Sequence, residues 1–228
     1  MGSTERRARE REDVRRRILD AAHDLFAKEG YEAVTMRRVA EMIEYTPPAI
    51  YFHFKDKLEL IQALAQEDFV ALAQELATLG EVTNPWERLA QVGRTYVDFA
   101  AKNPNHYRLM FMTKLPPEVV KHDDANKGVP ARDAYALVRH LSSDAIAQKC
   151  LRDEYHDPDL VAQVLWSAMH GIASLSITMC DSPWIQLRSA RVLTASMIDS
   201  LMQGMAAPSL VPASTSAKKK PRPSRPRS

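Results

Sequence analysis

The residues with the most chemistry to offer lie between Thr35 and Lys57. Thr35, Arg37 and Arg38 form one group, and Thr46, Pro47, Ala49, Tyr51, His53, Lys55 and Lys57 form a second. Hydroxyl, guanidinium, imidazole and ammonium groups are donors of the kind that grip phosphate oxygens and fix register on a duplex. Ala49 is small and apolar and could meet a thymine methyl. No nucleophile–base pairing stands out. The chain has no GxSxG, no HExxH, no phosphate loop and no dinucleotide fingerprint. No enzyme activity and no catalytic residue are expected.

These donors need a frame. Val14, Ile18, Ala21, Ala22, Leu25 and Phe26 recur on one helical face. That pattern stops at Gly30, a favoured helix terminator. Thr35 then caps a short helix with Met36, Val39, Ala40 and Ile43 on its inner side. Ile43 to Thr46 reads as a tight turn, and Pro47 to His53 as a third helix with Ile50 and Phe54 turned inward. Two short helices across a tight turn, behind a longer one, make a helix-turn-helix unit. The second helix of such a unit enters the major groove while the first crosses the backbone. An ordinary helical hairpin with a solvated charged face has the same spacing, so spacing alone leaves both readings open.

Prolines mark the other helix starts. A proline is tolerated in the first helical turn, and a preceding Ser, Thr, Asn or Asp can cap it. Thr46-Pro47, Asn84-Pro85, Asn103-Pro104, Asp157-Pro158 and Ser182-Pro183 fit that rule. Apolar bodies follow at Val97–Ala101, Leu109–Phe111 and Ile185–Met202, and a long fourth helix is expected over Lys57–Leu79, ending at Gly80. No segment alternates as a strand does, so the fold class is all-α, with roughly nine helices. The expected division is a disordered segment 1–11, a three-helix DNA-binding domain 12–57, an all-α domain 58–205, and a disordered basic tail 206–228. Met112 to Val129, with Pro116-Pro117, reads as a mobile loop.

The charge balance hides an asymmetry. Lys plus Arg number 31 against 29 Asp plus Glu. Residues 1–60 carry 12 basic and 12 acidic groups, while residues 214–228 carry 6 basic and none acidic. DNA affinity must then rest on placed contacts rather than on a globally basic domain. Cys150 and Cys180 suggest neither a disulfide scaffold nor a zinc site. No secretory signal pattern opens the chain: Thr4–Arg17 holds seven arginines and no apolar run. Leu160–Cys180 is uncharged and long enough to span a bilayer, but its Ser, Thr, Gln and His content fits a helix buried between others. No membrane partner is expected, and the expected location is cytoplasmic.

Two resemblances sharpen this reading. Thr35-Met-Arg-Arg-Val-Ala40 and Thr46-Pro-Pro-Ala-Ile-Tyr-Phe-His-Phe-Lys-Asp-Lys-Leu58 resemble the N-terminal domain of the TetR family of transcriptional regulators, from about Arg15 to Leu64. The resemblance implies DNA contacts at Thr35, Arg37, Thr46, Pro47, Ala49, Tyr51, His53 and Lys57. Arg37 and Ala49 would lie near bases, and Thr35, Tyr51, His53 and Lys57 on phosphates. Glu44 stands where that family usually has a turn glycine, so either it adopts positive φ or the turn differs. Pro48-Ala49 replaces the more frequent Gly-Thr or Gly-Ser, which leaves base preference open. Leu-Trp-Ser-Ala-Met-His-Gly171 and Asn105-His-Tyr-Arg-Leu-Met-Phe111 resemble the subgroup with a Trp-His-Gly C-terminal domain. That implies an effector pocket and a homodimer through the last two helices, near Asp157–Cys180 and Ser182–Gln203. Repression of an operator on double-stranded DNA, relieved by a small apolar or amphipathic effector, is the implied function.

Tyr96, Phe99, Tyr107, Met110, Phe111, Trp166, Met169 and His170 are the pocket candidates, and plain core is the competing reading for each. His122-Asp123-Asp124 and His156-Asp157-x-Asp159 lack the further ligands that zinc needs, so no metal or cofactor is expected. The alternative function is a ligand-binding helical protein or helical enzyme without operator binding.

Overall fold

The computed structural model describes residues 3–82, 84–113 and 127–210. Among the described residues run nine α-helices: α1 Ser3–Glu29, α2 Met36–Met42, α3 Pro47–Tyr51, α4 Lys57–Ala77, α5 Pro85–Lys102, α6 Pro104–Tyr107, α7 Ala134–Ala147, α8 Pro158–Thr178 and α9 Ala190–Met205. Most of the expected loop and tail, residues 114–126 and 211–228, lie outside the described residues.

Several starts follow the capping rule. The Thr35 hydroxyl accepts from the Arg38 N–H, Asn84 from Trp86 and Glu87, and Asp157 from Asp159. Asn103 behaves differently. Its amide donates to the Phe99 carbonyl and closes α5 rather than capping α6. Ser182-Pro183 does not open a helix. The chain runs irregularly to Ser189, whose hydroxyl accepts from Val192 and starts α9. Trp184 in that stretch is 92% exposed, so no apolar face holds it helical.

Two termini differ from expectation. Residues 3–11 continue α1 as exposed helical turns. No Pro or Gly interrupts Ser3–Glu29, and Arg6 pairs with Glu10 one turn on. Ala206 is not yet tail: it is buried, bridges antiparallel to Leu151, and accepts from Arg152.

The apolar residues form two cores. The first gathers Ile18, Leu25, Phe26, Val39, Ile50 and Phe54 from α1 to α3 and its edges. The second gathers Tyr96, Leu137, Ile172, Ile198 and their neighbours from α5, α7, α8 and α9. Helix α4 belongs to both: Leu60, Ile61 and Leu64 lie in the first core, Leu72 and Leu76 in the second. Leu109 crosses the other way, from the π-helical turn Arg108–Met112 into the first core. By length and composition α8 could cross a membrane; here it packs against α5 and α7.

The turn between α2 and α3 takes the positive-φ alternative. Glu44 has φ 60°, and the next residue's N–H, from Tyr45, reaches back to the Ala40 carbonyl at 2.9 Å. A side chain in that left-handed region costs about 1 kcal/mol. Glu44→Gly is expected to raise the unfolding free energy by about 0.5–1 kcal/mol in chemical denaturation, the relief being partly offset by a freer unfolded chain. No rise would show the turn to be unstrained.

Candidate nucleic-acid interface and effector cavity

Helices α2 and α3 place the sequence-identified donors on and around one surface. Thr46, at the start of α3, is exposed and does not cap the helix with its hydroxyl. Pro47 and Ala49 are half-buried, and Tyr51 is 53% exposed at the helix end. Lys55 is exposed, and its backbone N–H donates to Glu59. His53 is half-buried, and burial followed by the charges of Arg11 and Arg15 lowers its pKa. At neutral pH it is therefore an uncharged imidazole, able to donate one N–H.

Other candidates already have protein partners. Arg37 pairs with Glu41 on its own helix at 3.0 Å, in an exposed pair of small energetic weight. Arg38 forks onto Glu29 of α1, with one contact at 2.7 Å, which pulls the Glu29 carboxyl below its usual range. The Thr35 hydroxyl is engaged by Arg38 N–H. The Lys57 ammonium donates to the Tyr31 carbonyl at 2.6 Å and sits 3.8 Å from the Tyr31 ring centroid. Burial lowers its pKa. In this geometry Lys57 fastens the start of α4 to the segment after α1, which leaves only part of its three-donor ammonium for a phosphate.

Helix α1 is a further source of charge at this surface. Arg11 lies 5.1 Å over the ring of Phe52, a residue 69% exposed beyond α3. Arg15 lies equally close over Phe54, and Arg17 donates to the Ile43 carbonyl in the turn. The arginine run of Thr4–Arg17 was the available signal.

A cavity of about 880 Å³ opens in the second core. Phe69 and Val70 of α4, Leu89 of α5, Val138 of α7, Leu165 of α8 and Met202 of α9 contribute to its wall. The expected residues Tyr96, Met110, Phe111, Trp166 and Met169 also line it. Phe99, Tyr107 and His170 do not. Phe99 and Tyr107 are buried, and His170 is held in a polar chain behind the wall. Trp166 Nε1 donates to the Tyr96 hydroxyl at 3.1 Å, and the Tyr96 and Tyr107 hydroxyls are 3.0 Å apart. Tyr107 meets His170 Nδ1 at 2.5 Å. His170 is thus the satisfied core histidine rather than a wall residue. The α4 wall and Leu201, Met202, Lys127 and Arg132 were not foreseen, because helical periodicity does not separate a cavity wall from solid core.

Comparison with known families fits this arrangement. Residues 18–64 match the model described as bacterial regulatory proteins, tetR family, and residues 89–180 match that of a tetracyclin repressor-like C-terminal domain. Together they take in more than half of the chain.

The chain belongs to the TetR family.

Curated TetR-family relatives align mainly over part of their length. The HTH-type transcriptional repressor AcnR of Corynebacterium diphtheriae is 40% identical over 80 residues, 35% of this chain and 42% of the repressor. Less than half of that relative is therefore matched. Among solved structures, a Rhodococcus sp. RHA1 protein of unknown function superposes with TM-score 0.69 at 22% identity, covering 85% of this chain and 96% of its own. The fatty acid degradation regulator FadR of Bacillus halodurans superposes with TM-score 0.68 at 17% identity, covering 83% and 95%. At these identities the structures establish the shared fold.

One cluster escaped the sequence entirely. His23 of α1, Asp68 of α4 and His106 of α6 converge where the two halves of the TetR fold meet. Neither loop motif weighed from the sequence is involved: His122–Asp124 lie outside the described residues, and His156 is exposed.

His170 gives a test of the buried polar chain. Burial lowers its pKa, so the unfolded chain binds its proton more readily than the folded one. This stability is fully present above the ordinary histidine pKa of 6.5 and is lost as the pH falls through the folded value. In His170→Gln the acid slope of thermal stability is expected to flatten below pH 6.5, at some cost in stability at pH 8. An unchanged slope would assign the acid loss to other groups.

Proposed function

We propose that this TetR-family protein is a homodimeric transcriptional repressor that binds an operator through α3 and is released when an apolar or amphipathic molecule fills the cavity. The reading rests chiefly on α4. Its first residue, Lys57, is anchored beside the recognition unit, and Gln66, Phe69 and Val70 farther along it form cavity wall. A ligand that pushes this wall acts on the helix that carries the DNA-binding core. It must favour one of two arrangements of that helix to shift operator affinity.

The cavity chemistry narrows the effector. The wall is mostly aliphatic and aromatic, with Gln62, Gln66, Gln163 and Tyr135 among its polar groups, and with Lys127 and Arg132 outnumbering its one acid, Asp133. That pattern suits a long apolar body with one polar or anionic end. A fatty acid or related acyl compound is the favoured class, and the name of the Bacillus halodurans neighbour points the same way.

The dimer is argued from α8 and α9. Leu160 and Leu175 of α8 and Val192 and Met197 of α9 are exposed. Gly171 and Gly204 have nothing within 4 Å of where a Cβ would stand, so these helices can approach another backbone closely. Two-fold pairing would set the recognition helices about 34–36 Å apart, one turn of DNA, or a multiple of it. A partner on chromosomal DNA implies a cytoplasmic location.

Two measurements test the proposal. Tyr51→Phe combined with Lys55→Ala is expected to weaken operator binding about tenfold in a gel-retardation titration and to reduce the salt slope by about 1. Unchanged affinity and slope would remove the recognition surface. Long-chain fatty acids are expected to release the operator. With Trp166→Ala, the dose for half-release, scaled to that variant's own operator affinity, should rise at least about tenfold, the equivalent of ~1.4 kcal/mol. An unchanged dose would remove this cavity as the effector site.

A further inference from the structure

The cluster at the domain junction has the composition of a metal site. One nitrogen each of His23 and His106 and one oxygen of Asp68 lie within 4.8 Å of one another. Each comes from a different helix, α1, α4 and α6. His23 Nε2 is 3.6 Å from Asp68 Oδ2, and His106 Nδ1 is 2.5 Å from Asp68 Oδ1. The two imidazole rings lie tilted by 32° with centroids 3.6 Å apart, and each has a nitrogen near an oxygen of the Asp68 carboxylate.

A second observation points to a ligand. Asp68 is 4% exposed, and its Oδ2 has no hydrogen-bond partner; His23 Nε2, facing it, is also buried without one. Buried polar atoms are almost always satisfied, and leaving a carboxylate oxygen unmade is costly. A cation between these atoms would satisfy both at once. The two atoms face each other at 3.6 Å, just beyond hydrogen-bond distance.

We infer that His23, Asp68 and His106 bind one divalent transition-metal ion of the zinc class. Two imidazole nitrogens and one carboxylate oxygen are a recurrent donor set for zinc, with a fourth position left for water. Metal–nitrogen and metal–oxygen bonds of about 2.0–2.2 Å would set neighbouring donors a little over 3 Å apart. His23 and Asp68 already stand near that separation. The two rings, with centroids 3.6 Å apart, would have to open for both nitrogens to converge on one ion, and His106, partly exposed at the surface, is the one placed to swing outward. The ion would tie α1, from the DNA-binding core, to α4 and α6. The binding claim does not depend on operator recognition or on an effector, and its test uses metal alone.

The test uses the full-length, untagged chain stripped with chelator. Zinc is titrated in competition with a chromophoric chelator, and cobalt(II) serves as a spectroscopic substitute. The expected result is one zinc per chain, with four-coordinate visible bands in the cobalt form. His106→Gln and His23→Gln should each weaken zinc binding more than about tenfold, since even loss of an outer-sphere partner costs that much. Circular dichroism checks that each variant keeps its helices. If one does not, the wild-type stoichiometry and cobalt bands still decide. Absence of stoichiometric zinc at micromolar metal, octahedral cobalt bands, or zinc binding undiminished in both folded variants would overturn the assignment.

Discussion

Everything in this fold depends on one helix being buried in two cores. A 21-residue α4 is about 31 Å long at 1.5 Å per residue. Its first turns contribute Leu60, Ile61 and Leu64 to the core that shapes the recognition unit, and its later turns contribute Leu72 and Leu76 to the regulatory core. Full burial of each such side chain is worth about 1.5–3 kcal/mol, so neither core can release the helix cheaply. Packed interiors do not deform continuously. A change at the cavity wall must then move α4 nearly as a rigid rod, or not at all.

The ties around that rod are polar and local. Glu67 on α4 meets Arg15 and Arg16 of α1, and Lys57 holds Tyr31. Arg38 joins α2 to Glu29 at the end of α1. Exposed ion pairs add little stability each, so their worth is in fixing orientation. The cavity has its own rigid backing. Trp166 and Tyr96 of the wall are hydrogen-bonded to each other, Tyr96 also to Tyr107, which meets His170 behind the wall, and burial raises the pKa of both tyrosine hydroxyls.

Local rules made the frame legible. Thr35, Asn84 and Asp157 cap where residue type and the following pattern said they would, because a cap is decided within three residues. Ser182-Pro183 misled because the same pair also suits a turn, and only the lack of a buried face near Trp184 decides against a helix. The first turns of α1 were misread because charge content suggested disorder while an uninterrupted run of helix formers prevailed. Site residues divided on the same principle. Exposed Tyr51 and wall residues such as Trp166 could be named from motif and spacing. That Arg38 and Lys57 are engaged inside the protein, or that His23 meets Asp68 and His106, depends on contacts across 9 to 83 positions, which no local pattern encodes.

The π-helical turn Arg108–Met112 has a consequence for how such a protein diversifies. It sends Leu109 into the DNA-side core and the next two residues, Met110 and Phe111, to the cavity wall. A π turn holds one more residue than an α turn, and such turns recur at functional sites. Here it lets adjacent codons answer to separate selective pressures. Substitutions at 110 and 111 can reshape what the cavity accepts, while position 109 stays under the veto of the recognition unit's packing. The shape of the cavity can thus drift in a lineage without dismantling the helix-turn-helix core.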